Sequence, residues 1–565
     1  MPPTFTVTFI TNGGNSELQP VSAVRGDTVA APTVTRGYYA FEGWYSDIEL
    51  TDKVTFPYAV TKSITLYARW EQTEFAWNVT FTGQTATINF QNLHNNDIYL
   101  VKTNLSDSVV PAANTGRVQG DLQSLVYNRM TEHLQTPETA LSPLLDEIQN
   151  FNATPPPLDK NASYRLRAVP FIPPVVGDKR MFWVNNTGFL HTGAYVEIPA
   201  TLRASGLHGN IWVADEVYNP ADDGDKLTTE DAEILSVKFD LIYPLVTNIM
   251  GFEYGGGPDG DGGIDGDSKI QILFYTGHSM IRYSDFHPYF LSLDSNKCEM
   301  MYLHYATAKW PNYVGSEKYA YTYIQMAHEL QHLINFNQKY VKHGLLLDKW
   351  DEEMFSLMIE QLIAPFVCDD KTLFITHEVD NILHEDEIKR GVIEGSITAD
   401  GYSMWAAFGA YLLSNFGGAE LFKNIIANDK VGIESITEAL NKLYPGMNFE
   451  KALTRFAEAF IYSGSNIPKN AMTFDKTSTS AINGIDYTIY GFDIYTFDVY
   501  CRRAPDYIPY DTHKGPHVFD LTPMDMRPYS VSLHTTDAWK NRSGNVSVTL
   551  EKPADPNIVL QLMIK

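Results

Sequence analysis

Cysteine is nearly absent from this chain. Cys298, Cys368 and Cys501 are the three in 565 residues, and they stand in separate regions. That excludes a disulfide framework and a CxxC metal or redox site. Few cysteines suit a reduced compartment, but also many bacterial secreted proteins. Charge is thin as well: 19% of residues are charged and 44% are hydrophobic. General disorder is therefore excluded, and several cores can be buried. Basic residues are the scarcer sign, 42 against 68 acidic, for a formal charge of −26. Nucleic acid and anionic membrane surfaces are disfavoured as partners on that balance, whereas acidic clusters can hold cations. No apolar run approaches the ~18 residues of a membrane-spanning helix. The opening MPPTFTVTFI has no basic n-region and no apolar h-region, so the protein is either cytosolic or has lost a leader upstream of this sequence.

What is there divides by texture. At ~150 residues per domain the length predicts roughly four domains. Residues 1–70 are rich in β-branched and aromatic residues, with turns at Asn12-Gly13-Gly14 and Arg25-Gly26-Asp27. The run Phe41-Glu42-Gly43-Trp44-Tyr45 and the ending Leu66-Tyr67-Ala68-Arg69-Trp70 resemble the internalin-B-type B repeat, a small β-grasp-like module of bacterial surface and secreted proteins. That resemblance implies an extracellular or cell-surface location. Residues 71–165 alternate apolar and polar positions, as in Ala86-Thr87-Ile88-Asn89-Phe90, and predict a β-sandwich. Residues 115–150 are looser and run to Pro155-Pro156-Pro157. Residues 166–466 mix strands (181–184, 210–213, 270–274) with helices (229–250, 317–340, 350–366, 403–416, 418–427, 433–443) and predict an α+β domain. Residues 467–565 return to alternation and predict a C-terminal β-sandwich.

The strongest local signal is His328-Glu329-Leu330-Gln331-His332, inside a helical pattern of Tyr323, Met326, Ala327, Leu330, Leu333 and Ile334. Residues four apart share one helix face, so the two imidazoles can bind one Zn²⁺. Glu329 can take a proton from a water on that ion, whose pKa zinc lowers to about 7. The plain alternative is a pair of helix-face histidines satisfied by carboxylates or water. A third ligand is needed. The pattern HExxHxxGxxH is not met, because Asn335 and Gln338 stand at its Gly and His positions. His343 belongs to Lys342-His343-Gly344, a helix-ending turn. Glu352 and Glu353 begin the next helix and project about 100° apart, so only one faces the metal well.

The segment from His328 to Phe336, followed by Trp350-x-x-Glu353-x-x-Ser356, resembles the hyicolysin family of neutral zinc metallopeptidases. Those are gluzincins, binding zinc through two His and a downstream Glu in Trp-x-x-Glu-Gly-x-(Ala or Ser). The resemblance implies Glu353 as third ligand, with Met354 standing where the family usually has Gly. Glu360, two turns on, reads as a carboxylate beside the ligands. The resemblance spans about 180–465. It extends to Ser295-Asn296-Lys297-Cys298-Glu299-Met300-Met301-Tyr302-Leu303, expected as the strand bordering the cleft, able to add a peptide substrate by β-pairing. Tyr402, opening Tyr402-x-x-x-x-x-Phe408, resembles the helix after the metal site in related gluzincins and is nominated as oxyanion donor, with His377 and His384 as rivals.

Residues 255–268 crowd glycine with Asp259, Asp261, Asp265 and Asp267, a candidate Ca²⁺ loop without the closing Glu of an EF-hand. Asp222-Asp223-Gly224-Asp225 reads as a plain surface loop. The expectation is thus a multidomain chain: a gluzincin-type zinc endopeptidase acting on proteins or peptides, flanked by all-β modules able to bind a cell-surface or host ligand. The competing expectation is an adhesin that uses a peptidase-like scaffold.

Overall fold

A computed structural model describes residues 3–14, 17–119, 171–185, 195–221, 224, 226–289, 293–308, 318–372, 375, 391–393, 399–464, 466–496, 499–500, 509–511 and 515–565. His377, His384, Cys501, Asp222, Asp223, Asp225, the Pro155–Pro157 run and the 165/166 boundary lie outside the described residues. Two compact units emerge: Met1–Asn128 with Leu453–Thr473 and Pro516–Lys565, and Arg129–Ala452 with Phe474–Gly515.

The first unit opens with a four-stranded sheet. Strand Thr4–Ile10 lies between Val21–Val24, antiparallel, and Ile64–Gln72, parallel, with Tyr39–Tyr45 outermost. Alternation places Val7 and Phe9, and Leu66 and Ala68, on one buried face. Their partner Trp44 reaches it because the register slips between Phe41 and Gly43, and Gly43 takes a φ of 138° that side chains disfavour. Phe9 meets Trp44 edge-on at 4.9 Å.

The remaining strands of this unit correct the expectation of two separate sandwiches at 71–165 and 467–565. Strand Ile98–Asn104 pairs with both Val531–His534 and Ile558–Ile564, and Ile558–Ile564 continues to Ala76–Asn78. Opposite them, Arg542–Glu551 lies between Arg117–Val118 and Thr85–Asn96. One sandwich is therefore woven from both segments. Phe90, Leu93, Leu100, Leu550, Leu560 and Leu562 form its core. Each half alone would leave an apolar face and open strand edges in water. Residues 474–515 belong instead to the second unit, where the hairpin Ser478–Ile482/Ile485–Ile489 is anchored by Tyr487 donating to the Leu245 carbonyl at 2.8 Å.

The second unit is built on a five-stranded sheet of β1 (Lys179–Asn185), β2 (Tyr195–Ser205), β3 (Gly209–Ala214), β4 (Ile270–Tyr275) and β5 (Met300–His304), in that spatial order. The first three are antiparallel; β3, β4 and β5 run parallel. Every residue of β3 and β4 is buried, as expected of parallel strands covered on both faces. Helix α1 (Thr229–Met250) starts where Thr228 and Asp231 cap each other's backbone. Helix α2 (Ala320–Asn335) follows the sheet and continues as a π-helical stretch, Phe336–Val341, to its end at Gly344 (φ 73°). Helix α3 (Lys349–Val367) packs along α2, and α4 (Ala399–Asn415) along α3. Lys339, fully buried in the π-helical stretch, donates to the carbonyls of Ile425, Asn428 and Lys430. It thereby satisfies the end of α5 (Ala419–Ala427) and the turn after it, ahead of α6 (Gly432–Leu443).

Candidate metal centre

Leu330, Leu333, Ile334 and Met326 bury one side of α2 and fix its rotation. The face turned to α3 carries His328, Gln331 and His332, at positions i, i+3 and i+4. The two imidazole rings stand 4.9 Å apart at 76°. Met354, Phe355 and Met358 seat α3 so that Glu353 points at the same place. Met354, at the family's usual Gly position, is buried toward α4 at Gly409, where a Cβ would come 2.8 Å from Met358 Cγ and 3.4 Å from Met354 Cγ. Glycine on the neighbouring helix thus makes the room for Met358, with Met354 in ordinary contact beside it.

His328, His332 and Glu353 offer donor atoms that all lie within 4.8 Å of one another, the one such trio among the described residues. Glu353 Oε2 is 3.3 Å from His328 Nε2 and 3.9 Å from His332 Nε2. Ligands at ~2.0–2.1 Å around a tetrahedral ion stand about 3.3 Å apart, so the trio fits zinc with modest contraction. Glu353 Oε2 is also buried and faces the two imidazoles, so that a cation between them would satisfy it. The other nitrogens face outward: His328 Nδ1 is 2.6 Å from Glu360 Oε1, and His332 Nδ1 is 3.4 Å from Glu352 Oε1. Ser356 donates to Gln331 Oε1 at 2.6 Å and sits 3.3 Å from His332 Nε2.

Electrostatics follow from four carboxylates packed on two imidazoles. Burial alone pulls His328 down, but hydrogen bonds to Glu353 and Glu360, with the charges of Glu360 and Glu329, carry it well above the ordinary range. His332 is likewise raised, burial being outweighed by Glu352 and Glu353. Burial raises Glu353, yet the His328 hydrogen bond and both imidazole charges bring it down to about 2. Glu329 is pushed up to about 7 by burial, against the pull of both imidazoles. One carboxylate is therefore held ionised among the donors, and its neighbour is poised to exchange a proton near neutrality.

Tyr402 packs its ring edge-on to Trp405 at 5.4 Å. Asp259 and Asp261 are exposed at the loop tip, whereas Asp267 is buried and accepts from Lys269 N, Asn210 Nδ2 and Gln271 Nε2. Asp265 accepts from Asp267 N, and burial raises it to about 6. The four aspartates thus do not converge. Two further buried acids, Glu253 and Glu299, face this loop from outside it, at Gly256 and Gly263, and the spacing of Asp and Gly did not flag them. Glu299 accepts from Ile264 N at 3.0 and 3.2 Å, and Glu253 from Tyr243 at 2.8 Å. The outer edge of β5 is also occupied: Tyr302 exchanges both backbone bonds with Met280, at 2.9 and 3.0 Å, and His304 N donates to Ser279. A peptide cannot add at Tyr302, which corrects that expectation. Asn296 in the same segment bonds Trp183 O and Tyr302, serving a buried network. Tyr283, which donates to Glu352 at 3.2 and 3.3 Å from 69 residues away, carried no local signal at all.

Comparison with known proteins gives two likenesses, one to a neutral metalloprotease over half the chain and one to a short bacterial repeat at the start. Residues 5–69 match the Listeria-Bacteroides repeat domain. The metalloprotease is ShpI of Staphylococcus hyicus, 26% identical over 301 residues, which is 50% of this chain and 63% of that protein. A putative membrane protein of Evansella cellulosilytica is 41% identical over 69 residues, 12% of this chain and 10% of its own length. The chain thus spans less than two thirds of either relative. No helix among the described residues is long and apolar enough to cross a membrane.

Proposed function

We propose that this chain is a zinc-dependent endopeptidase of the hyicolysin type, acting on proteins outside the cytoplasm. The observation that carries the proposal is the convergence of His328, His332 and Glu353 beside the buried carboxylate of Glu329. The likeness to a neutral metalloprotease supports the reaction class, and the N-terminal repeat supports the location. In this reading His328 Nε2, His332 Nε2 and a Glu353 carboxylate oxygen hold the ion. Zinc supplies Lewis acidity for a bound water and for the scissile carbonyl.

The chain's own residues do the rest. Glu329 takes the proton of the attacking water and returns it to the leaving amine nitrogen. Tyr402 donates its hydroxyl to the developing oxyanion. The Glu353 charge, maintained far below neutrality, keeps the donor set anionic across the working range. Replacing Glu329 by Gln keeps the shape of the side chain and removes the base. Casein digestion is expected to fall by at least roughly 10²–10⁴-fold with zinc content retained; digestion at the wild-type rate rejects the assignment.

A further inference from the structure

The two imidazoles on α2 have four ring nitrogens, and each faces a carboxylate oxygen of α3. His328 Nε2 turns to Glu353 Oε2 at 3.3 Å, and His332 Nε2 lies 3.9 Å from the same oxygen and 3.3 Å from Ser356 Oγ. The Nδ1 atoms diverge, His328 to Glu360 at 2.6 Å and His332 to Glu352 at 3.4 Å. Glu352 and Glu360 are eight residues apart, about 12 Å along α3, whereas the histidines are about 6 Å apart along α2. The outer carboxylates therefore bracket the pair from its two ends. Tyr283 is in turn seated by Phe286 and Phe336, at ring separations of 5.8 and 5.0 Å, and its hydroxyl donates to Glu352.

We infer that Glu360 and Glu352 are positioning residues: each accepts from an Nδ1–H, so that both Nε2 lone pairs are presented to one ion, and Tyr283 aligns Glu352. A neutral imidazole carries a single N–H, and an anionic acceptor at Nδ1 selects the tautomer that has it there. The same bond stops ring rotation and raises the basicity of the ligating nitrogen. The inference rests on the zinc reading above, but it concerns which nitrogen binds and what fixes it.

The test uses the full chain loaded with zinc. Long-range proton–nitrogen correlation on ¹⁵N-histidine protein is expected to show N–H at Nδ1 for both metal-shifted imidazoles. In competition with a chromophoric chelator, Glu360→Ala should weaken zinc binding roughly 10–100-fold. Glu360→Gln, which keeps an oxygen for the Nδ1–H, should recover part of that loss. Tyr283→Phe should weaken binding less, and should add nothing in a Glu352→Ala background. An Nε2–H on either ring, or a Glu360→Ala affinity within twofold of wild type, overturns the inference. Should Glu360→Ala fail to fold, the wild-type tautomer spectrum decides alone. His328→Ala separates the two levels: zinc affinity untouched by that change removes the ligand set itself and this inference with it, whereas a lost site with normal Glu360→Ala binding removes the inference alone.

Discussion

Histidine is buried in both units, and the two surroundings drive it in opposite directions. On α2, His328 and His332 are surrounded by glutamates and their pKa values rise. In the sandwich, His534 bonds the Asp520 carbonyl at 2.7 Å and Ser532 Oγ at 2.9 Å, and burial with the nearby Lys102 charge pulls it down to about 4. Lys102 itself donates to Thr115 Oγ1 and the Gly116 carbonyl, and burial lowers it to about 8. The same side chain thus sits among carboxylates that favour its positive charge in one place and is a neutral core residue in the other. Burial alone does not mark a functional histidine; the sign of what surrounds it does.

Removing the metal should have the largest effect, and on the second unit alone. Chelation is expected to abolish proteolysis and to withdraw about 4 kcal/mol of stability, if zinc is present at a thousandfold above its dissociation constant. Calorimetry with and without chelator checks it, and an unchanged melting profile would make the glutamate-lined histidines no different from His534. Next comes Leu562→Ala in the sandwich core, expected to cost about 2–5 kcal/mol in urea unfolding while zinc content stays at one per chain. Loss of zinc in that variant would show that the metal centre depends on the sandwich core.

Acid should then separate the two units. His534 has a folded pKa below its ordinary value, so the unfolded chain takes up the proton first as pH falls. Stability of the sandwich is fully present above about pH 6.5 and is lost progressively down to about pH 4, on the order of 3 kcal/mol in all. Hydrogen exchange in Ile98–Asn104 and Ile558–Ile564 reads this directly, and His534→Gln should flatten the slope. Proteolysis is expected to fail on its own acid limb as Glu329 protonates, burial holding that carboxyl above its ordinary range. The smallest effect belongs to calcium. With Asp267 already bonded to three donors, added Ca²⁺ should move the melting temperature by no more than about 1 °C. A large shift would restore the aspartate loop as a cation site.

Legibility in the sequence followed the range of the interactions. The helix bearing His328 and His332 and the strands of the first 70 residues show themselves through periodicity within a few turns. Glu353 required only the step to the next helix, where a family pattern pointed at it. The sandwich did not show itself, because Asn104 pairs with Ile558 across most of the chain and no local pattern encodes that partner. Tyr283 was hidden for the same reason. The aspartate loop shows the reverse: a suggestive spacing, in which Asp265 and Asp267 already accept from backbone and amide donors that no spacing reveals.

Strand Ile558–Ile564 sits between Ile98–Asn104 and Ala76–Asn78, so the sheet cannot close until the ribosome has finished residue 564. During synthesis the early half must wait with its pairing edges bare while some four hundred residues of intervening chain emerge and fold. A nascent chain stalled short of that strand is therefore the species most exposed to chaperones and to self-association.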